Sequence, residues 1–271
     1  MQELTLSDAR HNILIEVGGV PVRVHSADPK FVELLQNRYT GFVGAASREA
    51  EFDFEIDLKS PGSDPEADVS VRREARGWIF ERGDFRAQWD PAARCGRIQQ
   101  TPNPYSMDSV LRIVHTLVLS GRGGFLVHAA SAVRNGKAFL FAGVSGAGKT
   151  TISRLAPPHA AVLTDEISYV RRDGNGYRAY GTPFAGELAR VGENVSAPLE
   201  TLFLLAQGPK NKIEDVDNAQ AAGELLKNIL FFAEDPESVL PVFQSACDFV
   251  GRVPVKRLTF VPDAKVWEMI G

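Results

Sequence analysis

Residues 137–156 read KAFLFAGVSGAGKTTISRLA, and this stretch decides the fold of the second half of the chain. Lys137–Ala142 is an apolar run of strand length, and Thr151–Ala156 can form a helix that the following Pro-Pro pair ends. Between them, residues 143–150 match the complete phosphate-binding loop pattern G-x-x-x-x-G-K-[ST]. A strand, a glycine loop and a helix in this order predict a binding site for a nucleoside triphosphate.

Each position of this phosphate loop has a defined task in such a site. The glycines allow the backbone to curl without a Cβ, so that successive N–H groups can point at phosphate oxygens. Lys149 would reach the β- and γ-phosphates, and the hydroxyl of Thr150 would bind Mg²⁺. The alternative is a glycine turn that only joins a strand to a helix. The candidate ATP-binding residues are Gly143, Val144, Ser145, Gly146, Ala147, Gly148, Lys149, Thr150 and Thr151.

The strand that enters the loop is predicted to belong to a hairpin. Phe125–Val133 is a second strand candidate, and Asn135-Gly136 is the signal of a type I′ turn between the two strands. His128 lies in the middle of the first strand, which would be the antiparallel neighbour of the strand that carries the loop. We therefore name His128 as a candidate catalytic residue, and a half-buried histidine without a function fits the pattern equally well.

Two adjacent acids follow the next apolar strand. Ala160–Leu163 is short and apolar, and Thr164, Asp165 and Glu166 come directly after it. Carboxylates at a strand end beside a phosphate loop can hold Mg²⁺ directly or through water. One of the two acids would hold the metal and the other would orient or deprotonate an acceptor hydroxyl, so the candidate metal ligands are Thr150, Asp165 and Glu166. A surface turn with two solvated carboxylates is the alternative.

A third informative stretch, Gly181–Glu187, reads GTPFAGE and is followed by Arg190. Glycines on both sides of a Thr-Pro-Phe core predict a shaped loop. Arg190 would neutralise the oxygens of a transferring phosphoryl group, which makes it a candidate catalytic residue together with Asp165, His128 and Lys149. A structural loop with an ion pair at the surface fits these residues equally well.

Composition excludes several classes of protein. The chain has 271 residues with 44% hydrophobic and 24% charged residues, which is ordinary for a globular protein. A net charge of −4 and scattered basic residues argue against a nucleic-acid partner, and no apolar run approaches the roughly 20 residues of a membrane span. Cys95 and Cys247 show no metal-binding spacing. We expect a cytoplasmic protein without a membrane partner, and homo-oligomer formation is left open.

The chain is predicted to divide at the Pro-rich stretch Thr101–Pro104. Residues 1–104 contain short strands and one helix but no catalytic signature, so they predict an accessory α+β module. Such a module would either recruit the acceptor or cover an apolar face of the second domain. Residues 105–271 are predicted to form an α/β nucleotide-binding catalytic domain, with later helices over Asn218–Ala233 and Pro236–Val250.

Taken together, these motifs resemble the catalytic domain of HPr kinase/phosphorylase, including its divergent relatives among the lasso-peptide kinases. The resemblance is carried by the sequence HAASAV from His128, the Asn-Gly turn, the phosphate loop and LTDEI from Leu163. The DSVLR helix from Asp108 and the GTPF loop from Gly181 add to it. The phosphate loop is also similar to that of ATP-dependent phosphoenolpyruvate carboxykinase. The resemblance spans residues 105–261 and implies a P-loop domain with a mixed, bent sheet.

The resemblance implies an ATP- and Mg²⁺-dependent kinase acting on a hydroxyl of a protein, a peptide or a small molecule. Lys149 and Thr150 match the loop's roles, Asp165 matches the residue implicated as the base, and His128 matches the histidine of the preceding strand. Glu166 departs from the family, where an Asp follows the base, and no copy of the glycine-rich phosphorylase segment is found. The resemblance therefore does not extend to phosphorolysis or to HPr as the acceptor. A non-catalytic ATP-binding regulator and a carboxykinase-like enzyme stay open as alternatives.

Overall fold

The structure, a computed structural model, describes residues 11–62, 68–186, 188 and 191–271. Within these ranges the chain is a mixed α/β protein with two sheets and few helices. None of the helices in these ranges is both long enough and apolar enough to cross a membrane. The chain separates into two compact units. The first comprises Met1–His115 and Phe232–Pro236, and the second comprises Thr116–Phe231 and Glu237–Gly271.

The first unit contains a seven-stranded sheet among the described residues, in the order β1-β2-β3-β7-β6-β5-β4. Its elements are β1 His11–Val17, β2 Val20–Ser26, α1 Pro29–Arg38, β3 Phe52–Leu58, β4 Ser70–Glu74, β5 Gly77–Arg82, β6 Phe85–Asp90 and β7 Cys95–Gln100. Strand β3 alternates buried aromatic or aliphatic residues with acidic ones, because only one face of the sheet is packed. An isolated bridge from Val71 to Ala233 shows that a later part of the chain returns to this unit.

Helix α2, Pro104–Ser120, begins in the first unit, and the division between the units falls within it. The sequence prediction places the domain boundary earlier, at the Pro-rich stretch Thr101–Pro104 before this helix. Asp108 ties the start of α2 to α1, since its carboxylate accepts hydrogen bonds from Tyr39 Oη at 2.7 Å and from Arg38 Nη2 at 2.5 Å. Burial and the nearby Asp108 charge raise the pKa of Tyr39 well above its usual value, so the phenol stays a donor.

The second unit contains a nine-stranded sheet among the described residues. Its strands are β8 Gly124–Arg134, β9 Lys137–Ala142, β10 Ala161–Thr164, β11 Ile167–Asp173, β12 Gly176–Tyr180, β13 Ser196–Gln207, β14 Lys212–Asp215, β15 Ile229–Leu230 and β16 Val255–Phe260. The helices are α3 Lys149–Arg154, α4 Asn218–Asn228, α5 Pro236–Val250 and a C-terminal 3₁₀ helix, Ala264–Met269. The predicted hairpin is confirmed, since Asn135 and Gly136 both have positive φ, at 52° and 76°.

Two long strands change partners along their length. The first half of β8 pairs with β11 and β15, whereas its second half pairs with β9 and β10. Strand β13 pairs first with β12 in the antiparallel sense and then with β9 and β16 in the parallel sense. The sheet is therefore mixed. Because β9, β13 and β16 are parallel, their carboxyl ends meet at one edge.

The sequence prediction of a helix over Asn218–Ala233 is wrong at its end. Helix α4 stops at Asn228, and Ile229 and Leu230 pair with Val127 and Leu126 of β8 as the short strand β15. A β-branched residue at the helix end and an available strand edge favour pairing over another helical turn. The prediction of a helix over Pro236–Val250 is confirmed, with Pro241 inside it.

Helix α5 is attached to the sheet through a polar contact near its C-terminus. Tyr177 of β12 donates to Asp248 of α5 at 2.8 Å, and Arg252 Nε donates to the other oxygen of Asp248 at 2.7 Å. Burial and the hydrogen bond to Asp248 raise the pKa of Tyr177. Buried Phe249 packs edge-to-face on Tyr177 with ring centroids 5.0 Å apart. The inner side of α5 is therefore fixed.

The hairpin turn before the phosphate loop can be tested with one pair of substitutions. We expect Gly136→Ala to lower the free energy of unfolding by about 1–2 kcal/mol, because a Cβ is strained at φ 76° although nothing lies within 4 Å of it. Gly176→Ala is the matched control, since the site is equally open and lacks a positive φ. Urea unfolding measures both, and equal stability of the two variants would contradict the assignment of the turn.

Candidate functional site

The phosphate loop, residues 143–150, begins where β9 ends and continues into α3. Gly146 and Gly148 have φ values of 78° and 110°, in the region that side chains avoid. A Cβ on Gly148 would also stand 2.7 Å from Cζ of Phe260, the last residue of β16. Glycine is therefore required at Gly148 for two separate reasons, its backbone conformation and the aromatic ring beside it.

Lys149 is held inside this loop rather than in solvent. The residue is only 9% exposed. Its Nζ donates to the carbonyl oxygens of Gly143 at 2.8 Å and Val144 at 3.3 Å. The ammonium group is thus placed within the curve of the backbone, where the sequence motif predicts a phosphate contact.

Two residues that the sequence does not single out support the loop and its helix. Gln207, at the end of β13, donates from Nε2 to the carbonyl of Gly146 at 2.7 Å. Trp267 of the 3₁₀ helix donates from Nε1 to the carbonyl of Ile152 in α3 at 3.1 Å. No local sequence signal marks either residue, because each reaches the loop only through the parallel order of strands or the return of the C-terminus.

The two acids lie in a corner between β10 and β11, which we call the acidic corner (Thr164–Glu166). Oγ1 of Thr164 accepts from the N–H groups of Glu166 and Ile167, both at 3.2 Å, and this side chain shapes the turn. The pairing of β10 with β8 shifts register between Val162 and Thr164. Strands β10 and β11 both pair with β8, so the corner interrupts a nearly continuous run of pairing along β8.

Asp165 is buried, with 4% of its surface exposed. Its Oδ1 accepts from the N–H of Gly186 at 3.0 Å, and its Oδ2 accepts from the N–H of Leu188 at 2.9 Å. A Cβ on Gly186 would stand 2.8 Å from Cβ of Glu166. The loop after β12 therefore closes directly onto the acidic corner. The alternative of a solvated surface turn does not hold for Asp165.

The GTPF loop, Gly181–Phe184, is fastened to the same strands. The Thr182 hydroxyl donates to the carbonyl of Ile167 at 2.8 Å, and the Thr182 N–H donates to Leu163 at 3.2 Å. A Cβ on Gly181 would stand 1.8 Å from the carbonyl oxygen of Glu193. The glycine that opens this loop is therefore required by the close approach of another backbone segment. Glu187 and Arg190 lie outside the described residues, and the role of Arg190 stays a prediction.

Strand β8 lies between the phosphate loop and the acidic corner. On one edge Ala129 pairs with Ala142, the residue before the loop, and on the other edge His128 pairs with Ile167, the residue after the corner. Strands β9 and β11 are thus two ladder spacings apart, or about 10 Å. His128 is half-buried at this level. The structure places His128, the start of the phosphate loop and the end of the acidic corner at neighbouring positions in the middle of β8.

Oxygen donors are present for a hard cation such as Mg²⁺. Thr150 stands in the phosphate loop, and Asp165 and Glu166 stand across β8 from it. Over the described ranges, no group of three or more His, Cys, Asp or Glu side chains is arranged to hold a metal ion. A magnesium ion bound together with a nucleotide needs only one or two carboxylates, because phosphate oxygens and water complete its shell. The donor set fits that type of site.

The C-terminal two thirds of the chain match the family model described as "SynChlorMet cassette protein ScmC", over residues 97–271. The matched range includes the phosphate loop, the acidic corner and the 3₁₀ helix. Among solved structures, the chain is similar to the Hpr(Ser) kinase/phosphatase from Coxiella burnetii, with 14% identity and a TM-score of 0.24. That similarity covers 45% of this chain and 87% of the other. The search of curated protein sequences found no match.

The bonds to Asp165 can be tested without any ligand. An Asn side chain has one acceptor oxygen, so Asp165→Asn leaves one of the two loop N–H groups without its acceptor. A hydrogen bond to a charged group contributes about 1.5–3 kcal/mol, so we expect amide exchange at Gly186 or Leu188 to accelerate about tenfold or more. The Thr182 amide, bound to Leu163, is the internal control. Unchanged exchange at both loop amides would contradict the role of Asp165 in holding them.

Proposed function

The chain belongs to the ScmC family of SynChlorMet cassette proteins, and we propose that it is an ATP-dependent kinase. The reaction would move the γ-phosphoryl group to a hydroxyl of a protein, a peptide or a small molecule. One observation carries the proposal: the glycine loop that encloses Lys149 and the corner that contains the buried carboxylate of Asp165 adjoin neighbouring positions of the same strand, β8.

Binding of the nucleotide would depend on this loop. The carbonyls that now hold Lys149 are weak, neutral partners compared with a phosphate, so a nucleotide would provide stronger acceptors for the same ammonium group. Gln207 and Phe260 restrict the loop from the neighbouring strands, which reduces the ordering that binding requires. Thr150, Asp165 and Glu166 would hold Mg²⁺, which neutralises charge on the phosphate oxygens when it is bound.

Asp165 is our candidate for the general base. A carboxylate has about four lone-pair sites, and the loop amides of Gly186 and Leu188 use two of them. The remaining sites can accept the proton of an acceptor hydroxyl, while the amides keep the side chain in one orientation. Phosphoryl transfer depends mainly on positioning and charge neutralisation, so a fixed carboxylate is suited to this role. We propose Glu166 as support for Mg²⁺ and His128 as a polar group near the transferred phosphoryl.

The loop lysine tests nucleotide binding. We expect Lys149→Ala to weaken binding of Mg²⁺–ATP at least about 100-fold by calorimetry, because the variant loses a charge-assisted contact to two phosphates. Lys227→Ala is the matched control, since Lys227 is an exposed lysine at the end of α4 that pairs with Glu224 one turn earlier. Circular dichroism checks the fold of both variants. Equal affinity in the two variants would show that the loop is not the nucleotide site.

Turnover tests the chemistry. With ATP alone, water takes the place of the acceptor, and release of ADP can be followed. If Asp165 is the base, Asp165→Asn should keep ATP affinity and lose about two to four orders of magnitude in rate. Gly186→Ala is the comparison, because its Cβ would press on Glu166 and on Oδ2 of Asp165 and displace the loop, while the carboxyl group itself stays chemically intact.

The two variants separate the possible outcomes. An equal loss of rate in both variants would remove Asp165 as the base and leave it only the task of holding the loop. ATP binding without any release of ADP from the unmodified protein, in the presence and absence of Mg²⁺, would favour the non-catalytic regulator.

A further inference from the structure

Strands β13 and β16 continue past the end of β9 and form a wall beside the phosphate loop. Ala142, the last residue of β9, pairs with Leu204, whereas β13 runs on to Gln207 and stays paired with β16. The wall therefore rises above β9 by about 10 Å of strand. A Cβ on Gly143 would lie 3.5 Å from Cβ of Leu205. The loop thus rests against this wall, on the edge of β9 away from β8.

A short turn at the top of this wall crosses the end of β16. Strands β13 and β14 pair with opposite edges of β16, so residues 208–211 between them pass over its end, and we call them the crossing turn. Directly before it, Gln207 Nε2 donates to the carbonyl of Gly146 in the phosphate loop at 2.7 Å. At its last residue, Asn211 Oδ1 accepts from the N–H of Val261 at 2.9 Å. The crossing turn is therefore held on both sides, and one of these attachments is to the phosphate loop itself.

The crossing turn carries a cation that is not neutralised within the described residues. Lys210 is exposed, and over the described ranges its side chain has no ion pair or hydrogen bond. Lys212, two residues later, is paired with Glu214 at 2.6 Å. Asp263, which follows β16, accepts the N–H of Lys265 at 3.0 Å. An exposed lysine is ordinary on a surface, but Lys210 stands on a fixed turn beside a loop shaped for phosphate.

The direction of a bound nucleotide follows from the proposed function, on which this inference rests. The transferred γ-phosphoryl group must face Asp165, and the acidic corner adjoins β8 on the edge opposite β9. Lys149 serves the β- and γ-phosphates. The chain of phosphates therefore continues away from the corner, toward the other edge of β9, where β13 and β16 form the wall. The α-phosphate and the nucleoside belong on that side.

We propose that the crossing turn holds the nucleoside end of ATP, with Lys210 as a second binding lysine that contacts the α-phosphate. Lys149 and Lys210 then hold the chain of phosphates from its two ends. Gln207 couples the two sites, because the amide that bonds the loop directly precedes the turn. ATP and ADP share the α-phosphate and the nucleoside, so both nucleotides use the crossing turn equally.

Calorimetric affinities for ATP and ADP test the role of Lys210. We expect Lys210→Ala to weaken binding of both Mg²⁺ nucleotides by the same factor, about tenfold, because each loses one exposed charge-assisted contact. Lys149→Ala should instead weaken ATP more than ADP, since ADP lacks the γ-phosphate. Lys210→Arg keeps the charge and should bind within about threefold of the unmodified protein. Lys212→Ala is the matched control and should change affinity less than about twofold, because Glu214 already neutralises Lys212.

The outcomes separate this proposal from the kinase assignment. An unmodified protein that does not bind ATP would overturn the nucleotide assignment and this proposal together. Binding that depends on Lys149 but is equal in Lys210→Ala and Lys212→Ala would overturn only the role of Lys210. A loss in Lys210→Ala that is confined to ATP would place this lysine at the γ-phosphate and overturn the proposed direction.

Photolabelling locates the base. We expect 8-azido-ATP, bound with Mg²⁺ and irradiated, to attach within residues 207–211, and mass spectrometry of the peptides identifies the labelled residue. An excess of ATP and the variant Lys149→Ala should both prevent this labelling, because it requires the phosphate site. Attachment to β8 or to the GTPF loop would overturn the proposed direction, since β8 and the strands that hold this loop lie on the corner side of β9.

Discussion

Strand β8 is hydrogen-bonded along both edges, and the candidate site depends on this pairing. One edge aligns Ala142 and the phosphate loop, and the other aligns the acidic corner through Ile167. The separation between the loop and the corner is therefore set by the sheet and not by the flexible reach of side chains. About 10 Å separates the strand that leads into the loop from the strand that follows the corner. Each loop at this edge is then attached to the sheet by its own hydrogen bonds.

Most of these attachments are hydrogen bonds to backbone N–H and carbonyl groups. Asp165 holds two amides of the loop after β12, and Thr164 holds two amides of its own turn. Thr182 donates to two strand carbonyls, once from its hydroxyl and once from its N–H. Buried polar backbone must be paired, so each of these side chains is needed for folding before any chemistry is considered. The same contacts keep the candidate catalytic groups in one orientation, which is what phosphoryl transfer requires of a protein.

The two units differ in what their polar residues achieve. In the first unit, buried Asp108 joins two helices through Tyr39 and Arg38, and the charge is fully engaged in structure. In the second unit, Asp248 joins α5 to the sheet and leaves the apolar outer face of that helix exposed. A carboxylate thus stabilises a local junction in both cases.

The local patterns of the sequence determined the hairpin, the glycine loop, α5 and the position of the two acids, because turn residues and periodicity act over a few neighbours. They did not determine the end of α4, where an available strand edge outcompetes helix propensity and Ile229 joins β8. They also did not reveal Gln207 or Trp267, or the closure of Gly186 on Asp165, since these contacts join residues far apart in the chain. Tertiary structure decided those features, because strand order and long-range hydrogen bonds depend on which elements meet and not on the residues beside them.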